Sequence, residues 1–378
     1  MKIGIDGRAA KWYRGTGIGT YTHELLDSLN KSSSNNDYLI FLPKCSLLDN
    51  FKNNFKIESI NANLEENFWD QVHVPNILDN KNIELYHVPQ NGVGLSPKIN
   101  CKKVITLHDI IPLKMPQTVS DKYLKIFNEE LPSIINSCDG IITVSNFSKN
   151  DISKEFNFPK DKIFVTPLAA ENIYRPLNKE TCKNIIKSKY KINDDFILYV
   201  GGFSPRKNIL GLIEAFSLIP YSKRKNTKLV ITGKKGISYD KYKKRTSDLK
   251  IMNDVIFTGF ISLDHMPIFY NASKLLVYPS FYEGFGLPPL EAMACGTPVI
   301  ASNVTSLPEV CGTSAILIDP YNIDELSLSI EKILTDKSLY NNMSNRGIKR
   351  SLTFSWDNTA SQTLCAYENI LKNHENSK

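Results

Sequence analysis

The stretch from Leu275 to Ser302, LLVYPSFYEGFGLPPLEAMACGTPVIAS, constrains this chain more than any other. An apolar run of strand length (Leu275, Leu276, Val277, Tyr278) is stopped by Pro279 and Ser280. A glycine-containing loop follows, holding Glu283, Gly284, Phe285 and Gly286. Pro288 and Pro289 suit the first turn of a helix, where a missing N–H costs nothing. Glu291 to Cys295 continue that helix, Gly296 reads as its C-terminal cap, and Pro298 to Ala301 reads as a second buried strand. The result is a strand–loop–helix–strand unit with one acid in the loop and a second in the first turns of the helix.

A helix start preceded by Gly-Phe-Gly offers backbone N–H groups near Gly286 and Leu287 and the positive end of the helix dipole, which suits a phosphate. Carboxylates beside a phosphate repel it unless they bind something else, and hydroxyl groups donate strong charge-assisted hydrogen bonds to them. Phosphate and several hydroxyls together describe a nucleotide sugar. Taken singly, Glu283 reads as a solvated loop residue and Glu291 as a helix-start acid favoured by the dipole. Their spacing around this loop outweighs that reading.

The segment EGFGLPPLEAMACGTPVIAS resembles the E-x7-E signature of the retaining GT-B glycosyltransferases, in particular the large family 4, with the two glutamates on Glu283 and Glu291. The resemblance covers nearly the whole chain. It implies an α/β fold of GT-B type: two Rossmann-like domains with parallel sheets facing across a cleft, and a C-terminal helix crossing back to the first domain. The expected division is residues 1–170 (acceptor side), 171–355 (nucleotide-sugar side) and 356–378 (returning helix and tail). At 378 residues the chain is too long for one core and suits two domains.

Alternating strand and helix signals agree with that architecture. In the first half, strands read at Lys2–Asp6, Tyr38–Leu42, Phe55–Ile60, Glu84–Val88, Lys103–Leu107, Gly140–Val144 and Ile163–Thr166. In the second they read at Ile197–Gly201, Lys228–Thr232, Val255–Thr258, Leu275–Tyr278, Val299–Ala301 and Ala315–Ile318. A linker, LAAENIYRPLNK, joins the halves, helices are expected from Thr181, Ile323, Leu339 and Asp357, and residues after Asn373 read as disordered. After the first strand, GRAAKWYRGTGIG reads as a long flexible loop and a helix is expected near Thr20. Gly15, Gly17 and Gly19 do not form G-x-G-x-x-G, because the third glycine would fall on Thr20 or Thr22, so a NAD-dependent oxidoreductase is disfavoured.

No apolar run approaches the roughly 18–20 residues of a membrane span, and MKIGIDGRAA lacks a signal-peptide core, so a cytoplasmic protein is expected. Seven cysteines with no C-x-x-C pair argue against a disulfide framework or a zinc site. Of 46 basic and 39 acidic residues, the first 150 positions hold 16 of each, so the excess of +7 lies beyond them. The densest basic cluster, Lys234 to Arg245, either collects an anion or is a solvated helix face. No nucleic-acid-binding module is present.

Strand ends carry the remaining candidates, since ligands of parallel sheets collect there. VITLHDIIP places His108 and Asp109 at one, and ELYHVPQNGVG places His87, Gln90 and Asn91 at another. By the resemblance, His108 contacts the donor sugar, Asp109 either orients that imidazole or contacts the acceptor, and Asn91 lies on the acceptor side. The resemblance also brings the glycine-rich loop, with Gly17, to the donor phosphates and the acceptor; Arg14 either adds a charge there or is a surface residue. ITVSNFSKNDI enters a helix capped by Ser145 or Asn146, and His23, His73, His265 and His374 read as structural or surface residues. In GGFSPRKNILGLIEAF, Gly202 lets the backbone turn while Arg206 and Lys207 precede a helix N-terminus, where cations oppose the dipole unless an anion bridges them. The resemblance places the donor diphosphate there and the base near the backbone of Phe260 and Ile261.

These parts imply a mechanism. Arg206, Lys207 and the amides near Gly286 and Leu287 neutralise the departing diphosphate. Glu283 takes sugar hydroxyls and Glu291 the ribose. No D-x-D triplet occurs, so no metal or other cofactor is expected. No carboxylate is placed as a nucleophile, so retention by same-face departure and attack is favoured. The expected activity is transfer of a hexose, first mannose from GDP-mannose, to a glycan or lipid-linked glycan acceptor in cell-surface polysaccharide synthesis. A UDP-sugar-dependent glucosyl- or N-acetylhexosaminyltransferase is the nearest alternative; a sugar-nucleotide epimerase, a phosphorylase or a non-catalytic nucleotide-sugar binder are those of another class. Peripheral contact with the inner face of the membrane fits a lipid-linked acceptor, although the neutral first domain gives it no electrostatic support.

Overall fold

Among the described residues thirteen strands collect into two sheets, and each sheet organises its own unit. The computed structural model describes residues 1–32, 35–43, 51–60, 70, 73–224, 226–234, 236 and 238–375. One unit comprises Met1–Pro116, Ser120–Leu168 and Ser355–Lys378; the other comprises Gln117–Val119 and Ala169–Phe354.

The first sheet contains β1 (Lys2–Asp6), β2 (Asp37–Pro43), β3 (Phe55–Ile60), β4 (Leu85–Val88), β5 (Lys102–Thr106), β6 (Gly140–Thr143) and β7 (Ile163–Val165). Every pairing is parallel, in the order β3-β2-β1-β4-β5-β6-β7. The second contains β8 (Phe196–Val200), β9 (Lys228–Thr232), β10 (Val255–Gly259), β11 (Leu275–Tyr278), β12 (Val299–Ser302) and β13 (Ile316–Ile318), also all parallel, in the order β10-β9-β8-β11-β12-β13. These strands read as continuous apolar runs because both faces are covered: Ile3, Ile5, Leu198, Leu276 and Val277 are fully buried. In both sheets the order reverses once, between β1 and β4 and between β8 and β11. Such a reversal opens a crevice at the carboxyl ends of the strands.

The helices covering the sheets begin where side chains can take up the first amides. Among them are α1 (Arg8–Trp12), α2 (Gly17–Lys31), α3 (Val74–Asn80), α4 (Leu131–Ser137), α5 (Asn146–Phe156), α6 (Lys179–Tyr190), α7 (Ile209–Leu218), α8 (Tyr239–Asp248), α9 (Met266–Ala272), α10 (Leu287–Ala294), α11 (Ile323–Thr335), α12 (Lys337–Ser351) and α13 (Trp356–Glu375). Ser145, Asn178, Asn322 and Asp336 accept from the amide three residues on, capping α5, α6, α11 and α12. Helices α6 and α12 therefore start two residues before the expected Thr181 and Leu339. At the end of α10, Gly296 (φ 74°) donates to Met293 and Thr297 donates to Ala292, the paired bonds of a Schellman motif.

Two expectations change. The stretch from Gly7 to Gly19 is not a long loop: α1 starts one residue after β1, and α2 starts at Gly17, where Thr16 accepts from the Gly19 N–H at 3.2 Å. A Cβ at Gly19 would lie 1.9 Å from the Tyr13 carbonyl oxygen. Glycine here permits one backbone to rest on another rather than granting freedom. At the other end, α13 continues through Glu375, beyond the Asn373 boundary read from the sequence, and residues 376–378 lie outside the described ones.

Helix α13 belongs to the first unit. Ile370 is buried against Gly140, where a Cβ would sit 2.5 Å from its Cδ1, and the Tyr367 hydroxyl meets Nδ1 of buried His87 at 2.7 Å. Thr359 donates to the Pro167 carbonyl at 2.5 Å. Among the described residues no helix is long and apolar enough to cross a membrane. Gly19→Ala is expected to cost about 1–3 kcal/mol, since backbone must move. Gly17→Ala, whose Cβ would meet nothing within 4 Å, is expected to be neutral. Urea midpoints of the two variants check this.

Candidate active site

At the switch point of the second sheet, the loop after β8 and the loop after β11 bring three charges together. Pro205–Lys207 forms a tight 3-10 turn, and Asn208, in the left-handed region (φ 54°), closes it by accepting from Gly211 and donating to the Pro320 carbonyl at 2.7 Å. The turn points Arg206 and Lys207 toward the strand after which Glu283 lies. Arg206 Nη1 is 2.8 Å and Lys207 Nζ 2.6 Å from the same oxygen, Glu283 Oε1. Lys207 also donates to the Tyr278 hydroxyl at 2.5 Å and lies 4.7 Å from that ring's centroid. Arg206 is fixed further by its bond to the Tyr282 carbonyl, and its own carbonyl accepts from Phe281 at 2.9 Å. Burial alone would raise the Glu283 carboxyl; the two cations overcome it and hold it down at about 2.

The loop beyond Glu283 is held by Ser306, which donates to the carbonyls of Glu283 and Phe285 at 2.8 and 2.7 Å. Gly286 (φ 120°) precedes α10, and a Cβ there would press 2.7 Å from Leu307. Because Pro288 and Pro289 carry no N–H and Leu290 bonds back to Gly286, the amides on offer are those of Gly286 and Leu287. Phe285 is buried and packs edge-on against Phe354, with ring centroids 5.9 Å apart.

Glu291 occupies a different environment on α10. It accepts from the Tyr270 hydroxyl at 2.6 Å, and desolvation, aided by nearby Glu171, raises it to about 7 against the opposing Tyr270 and Tyr174 bonds. The two signature acids are thus set apart electrically, one firmly ionised and one near half-protonated at neutral pH. Phe260 is exposed, next to Gly259 (φ 76°), whereas Ile261 joins the core. Gly202 is exposed, with nothing within 4 Å of where a Cβ would be.

In the first unit, His108 is held on all sides. Its N–H donates to Asn91 Oδ1 at 3.0 Å, its carbonyl accepts from Ser148 at 3.1 Å, and its Nε2 faces the Pro89 carbonyl at 3.1 Å. A carbonyl can only accept, so Nε2 carries the proton and Nδ1 presents a lone pair. Burial lowers the imidazole to about 4, so it is neutral at ordinary pH. Tyr21 packs edge-on at 4.8 Å. Asp109 accepts from the Ile111 N–H at 3.0 Å. Asn91, in the left-handed region (φ 55°), donates to Tyr123 at 2.9 Å and so braces His108 within the unit. Gly17 begins α2 and is exposed.

Sequence reasoning gave the Ser-x-Phe-Ser segment a capping role, which Ser145 performs, but not the bond from Ser148 to His108. It also missed the tyrosines at 270 and 278, whose positions inside strand and helix runs look like core packing. Of the remaining histidines, His23 pairs with Glu24 and His265 with Tyr190, while the His374 side chain lies outside the described residues. In the basic cluster, Lys241, Lys243 and Lys244 lie on the exposed face of α8, and Arg245 pairs with Glu214 at 2.8 Å.

Residues 15–170 match the family model described as Glycosyltransferase Family 4, and residues 183–350 match Glycosyl transferases group 1. O-antigen chain mannosyltransferase B of Escherichia coli is 36% identical over 267 residues, 71% of this chain and 70% of that protein. The serotype-specific mannosyltransferase WbdA of Escherichia coli is 30% identical over 287 residues, 72% of this chain but 34% of that longer protein. HepE from Anabaena, solved in complex with UDP and glucose, shares the fold with a TM-score of 0.74 at 17% identity, covering 98% of this chain and 100% of that one. Fold and matches together define a glycosyltransferase of the GT-B class. Within that class, the chain belongs to glycosyltransferase family 4.

The opposed environments of the two acids give opposite stability signatures. Glu283, depressed to about 2 from 4.5, stabilises the fold above pH 4.5, and that contribution is lost as pH falls toward 2. Glu291, raised from 4.5 to about 7, makes the fold lose stability as pH rises across that window. Glu291→Gln is therefore expected to melt higher than the parent at pH 8 and close to it at pH 4.5, a comparison that thermal denaturation at the two pH values checks.

Proposed function

We propose that this enzyme is a retaining, metal-independent hexosyltransferase, moving mannose from a nucleotide sugar, first GDP-mannose, to a glycan in cell-surface polysaccharide synthesis. The observation that carries the reading is the Arg206–Glu283–Lys207 group at the switch point of the second sheet. Two fixed cations sharing one carboxylate suit a diphosphate that gains negative charge as it leaves. The names of the mannosyltransferase relatives support mannose as the sugar.

In this reading the diphosphate takes hydrogen bonds from Arg206, Lys207 and the Gly286 and Leu287 amides, and the sugar hydroxyls donate to Glu283, replacing part of its contact with the cations. The ribose hydroxyls donate to Glu291, and the base lies near Phe260 and Ile261. The bond from the sugar's anomeric carbon to the phosphate oxygen breaks, and a bond to the acceptor oxygen forms on the same face. The acceptor proton passes to the departing diphosphate, which needs no separate base. Neutral His108, with its Nδ1 lone pair, serves the sugar without adding positive charge beside an oxocarbenium-like carbon. Since the cations supply the electrostatic stabilisation, the reading needs no metal ion. The reaction takes place on the cytoplasmic side, with a soluble or lipid-linked acceptor.

Incubation with GDP-mannose, UDP-glucose and UDP-N-acetylglucosamine in EDTA tests this. Transfer from GDP-mannose with the α-configuration kept is expected; an inverted product, an absolute need for added metal, or turnover of the UDP-sugars alone each overturns its part of the reading. Lys207→Ala is expected to lower turnover by about 100-fold or more. Glu283→Ala also strips the carboxylate from two buried cations, at a cost of about 3–5 kcal/mol, so Glu283→Gln is the variant whose lost transfer reports on chemistry.

A further inference from the structure

The acid assigned to the ribose stands in a setting that the transfer step does not use. Glu291 is half-buried on α10, so a ligand can reach it, while Tyr270 on α9 is fully buried and Tyr174 and Glu171 nearly so. All four belong to the second unit. The Tyr270 hydroxyl donates to Glu291 Oε2 at 2.6 Å, and the Tyr174 hydroxyl bonds to the same carboxylate. Burial, and then the Glu291 charge, raise Tyr270 well above the usual phenol range, so it keeps its proton and acts as a donor.

Both tyrosines are held from several directions. The Tyr270 carbonyl accepts from Thr297 Oγ1 at 2.7 Å, which ties α9 to the turn just past α10. Tyr174 lies in the linker before α6, where its N–H donates to the Glu171 carbonyl at 2.9 Å. Asn271 fastens that linker to α9, donating to the Arg175 carbonyl at 3.0 Å and accepting from the Leu177 N–H at 2.8 Å. The two rings meet edge-on, with centroids 5.6 Å apart. The other titratable neighbours are Glu171, whose charge raises the Glu291 carboxyl, and the Cys295 thiol, which burial and then Glu291 push up and keep neutral.

A carboxylate accepts at about four lone-pair positions. The two tyrosine hydroxyls take up part of that capacity and fix the group, and a vicinal pair of hydroxyls can fill the rest. Ribose carries such a pair, and 2′-deoxyribose does not. We propose that Tyr270 and Tyr174 are positioning residues that aim Glu291 at both ribose hydroxyls, restricting the donor to ribonucleotide sugars and excluding thymidine-diphosphate sugars, which carry 2′-deoxyribose. This rests on the nucleotide-sugar reading and narrows it to one class of donor. A site built to accept two hydroxyls is left short of one by the deoxy analogue, which is how polar sites reject close relatives of their ligands.

Calorimetry on the full chain compares GDP with 2′-deoxy-GDP, and UDP with 2′-deoxy-UDP, from about pH 6 to 9; within each pair the base and phosphates cancel. At pH 8 the parent is expected to prefer the ribonucleotide about tenfold or more, and the preference to shrink below pH 7 as Glu291 gains a proton and loses an acceptor position. Tyr270→Phe keeps the ring and removes the donor. The preference at pH 7 is expected to fall severalfold and its pH profile to move to higher pH, since the lost bond favoured the ionised carboxylate. Tyr174→Phe is expected to move the profile the same way, and it carries the test where Tyr270→Phe does not fold. In Glu291→Gln the preference is expected to be low, with neither tyrosine substitution lowering it further. Unchanged ratios and profiles in both tyrosine variants, or an equal further loss in the Glu291→Gln background, overturn the positioning role. A parent that binds each ribonucleotide and its deoxy analogue alike overturns the ribose selection, whereas one that binds neither GDP nor UDP overturns the nucleotide-sugar reading and the proposal with it.

Discussion

One carboxylate oxygen shared by two cations is the contact on which the second unit's strand ends depend. Placing Arg206, Lys207 and Glu283 out of water is costly, and an ion pair in such a place often contributes little net stability against apolar packing. Its value lies in position. Arg206 and Lys207 come from a turn that immediately follows β8, and Glu283 from a loop that follows β11, so the contact fastens together two loops about 76 residues apart in sequence. With the Phe281-to-Arg206 backbone bond and the Tyr278 hydroxyl, it fixes the cations before any ligand arrives. Preorganised charge is the form of electrostatic stabilisation that costs no rearrangement during reaction.

The fold was highly legible, for a physical reason. In a sheet covered on both faces, every strand must be apolar on both sides, and such runs stand out between polar helices and glycine or proline stops. All thirteen expected strands are present, with ends shifted by a residue at most, for example Phe196–Val200 rather than Ile197–Gly201. Helix starts were less legible, because a cap is decided by one side-chain bond such as Asn178 to Thr181. The stretch from Gly7 to Gly19 was misread because glycine has two meanings. Sequence shows a residue without a side chain and cannot show that the Tyr13 carbonyl occupies the space the side chain would need.

Part of the site was equally legible. The spacing of Glu283 and Glu291 and the Ser-Pro-Arg-Lys turn carry their geometry locally, and Arg206, Lys207 and Glu283 do meet. What stayed hidden are contacts between distant residues of ordinary type. Gln90 and Asp6, 84 positions apart, or His87 and Tyr367, 280 apart, leave no trace in a single sequence. Asp109 adds a local contact of the same kind: its carboxylate accepts from the Ile111 N–H, a turn that the neighbouring histidine does not announce.

The titration states follow from the same burial that builds the core. Desolvation disfavours whichever form is charged, so it pushes His108 down to about 4 and Glu291 up to about 7, making the first neutral and leaving the second near half-protonated at neutral pH. Glu283 is buried as well, but its two cations reverse the outcome. Fixed charge in the second unit's site is thereby concentrated in the Arg206–Glu283–Lys207 group, while His108 in the first unit presents a lone pair. That distribution fits a reaction in which negative charge accumulates on one leaving group and a sugar carbon turns transiently positive.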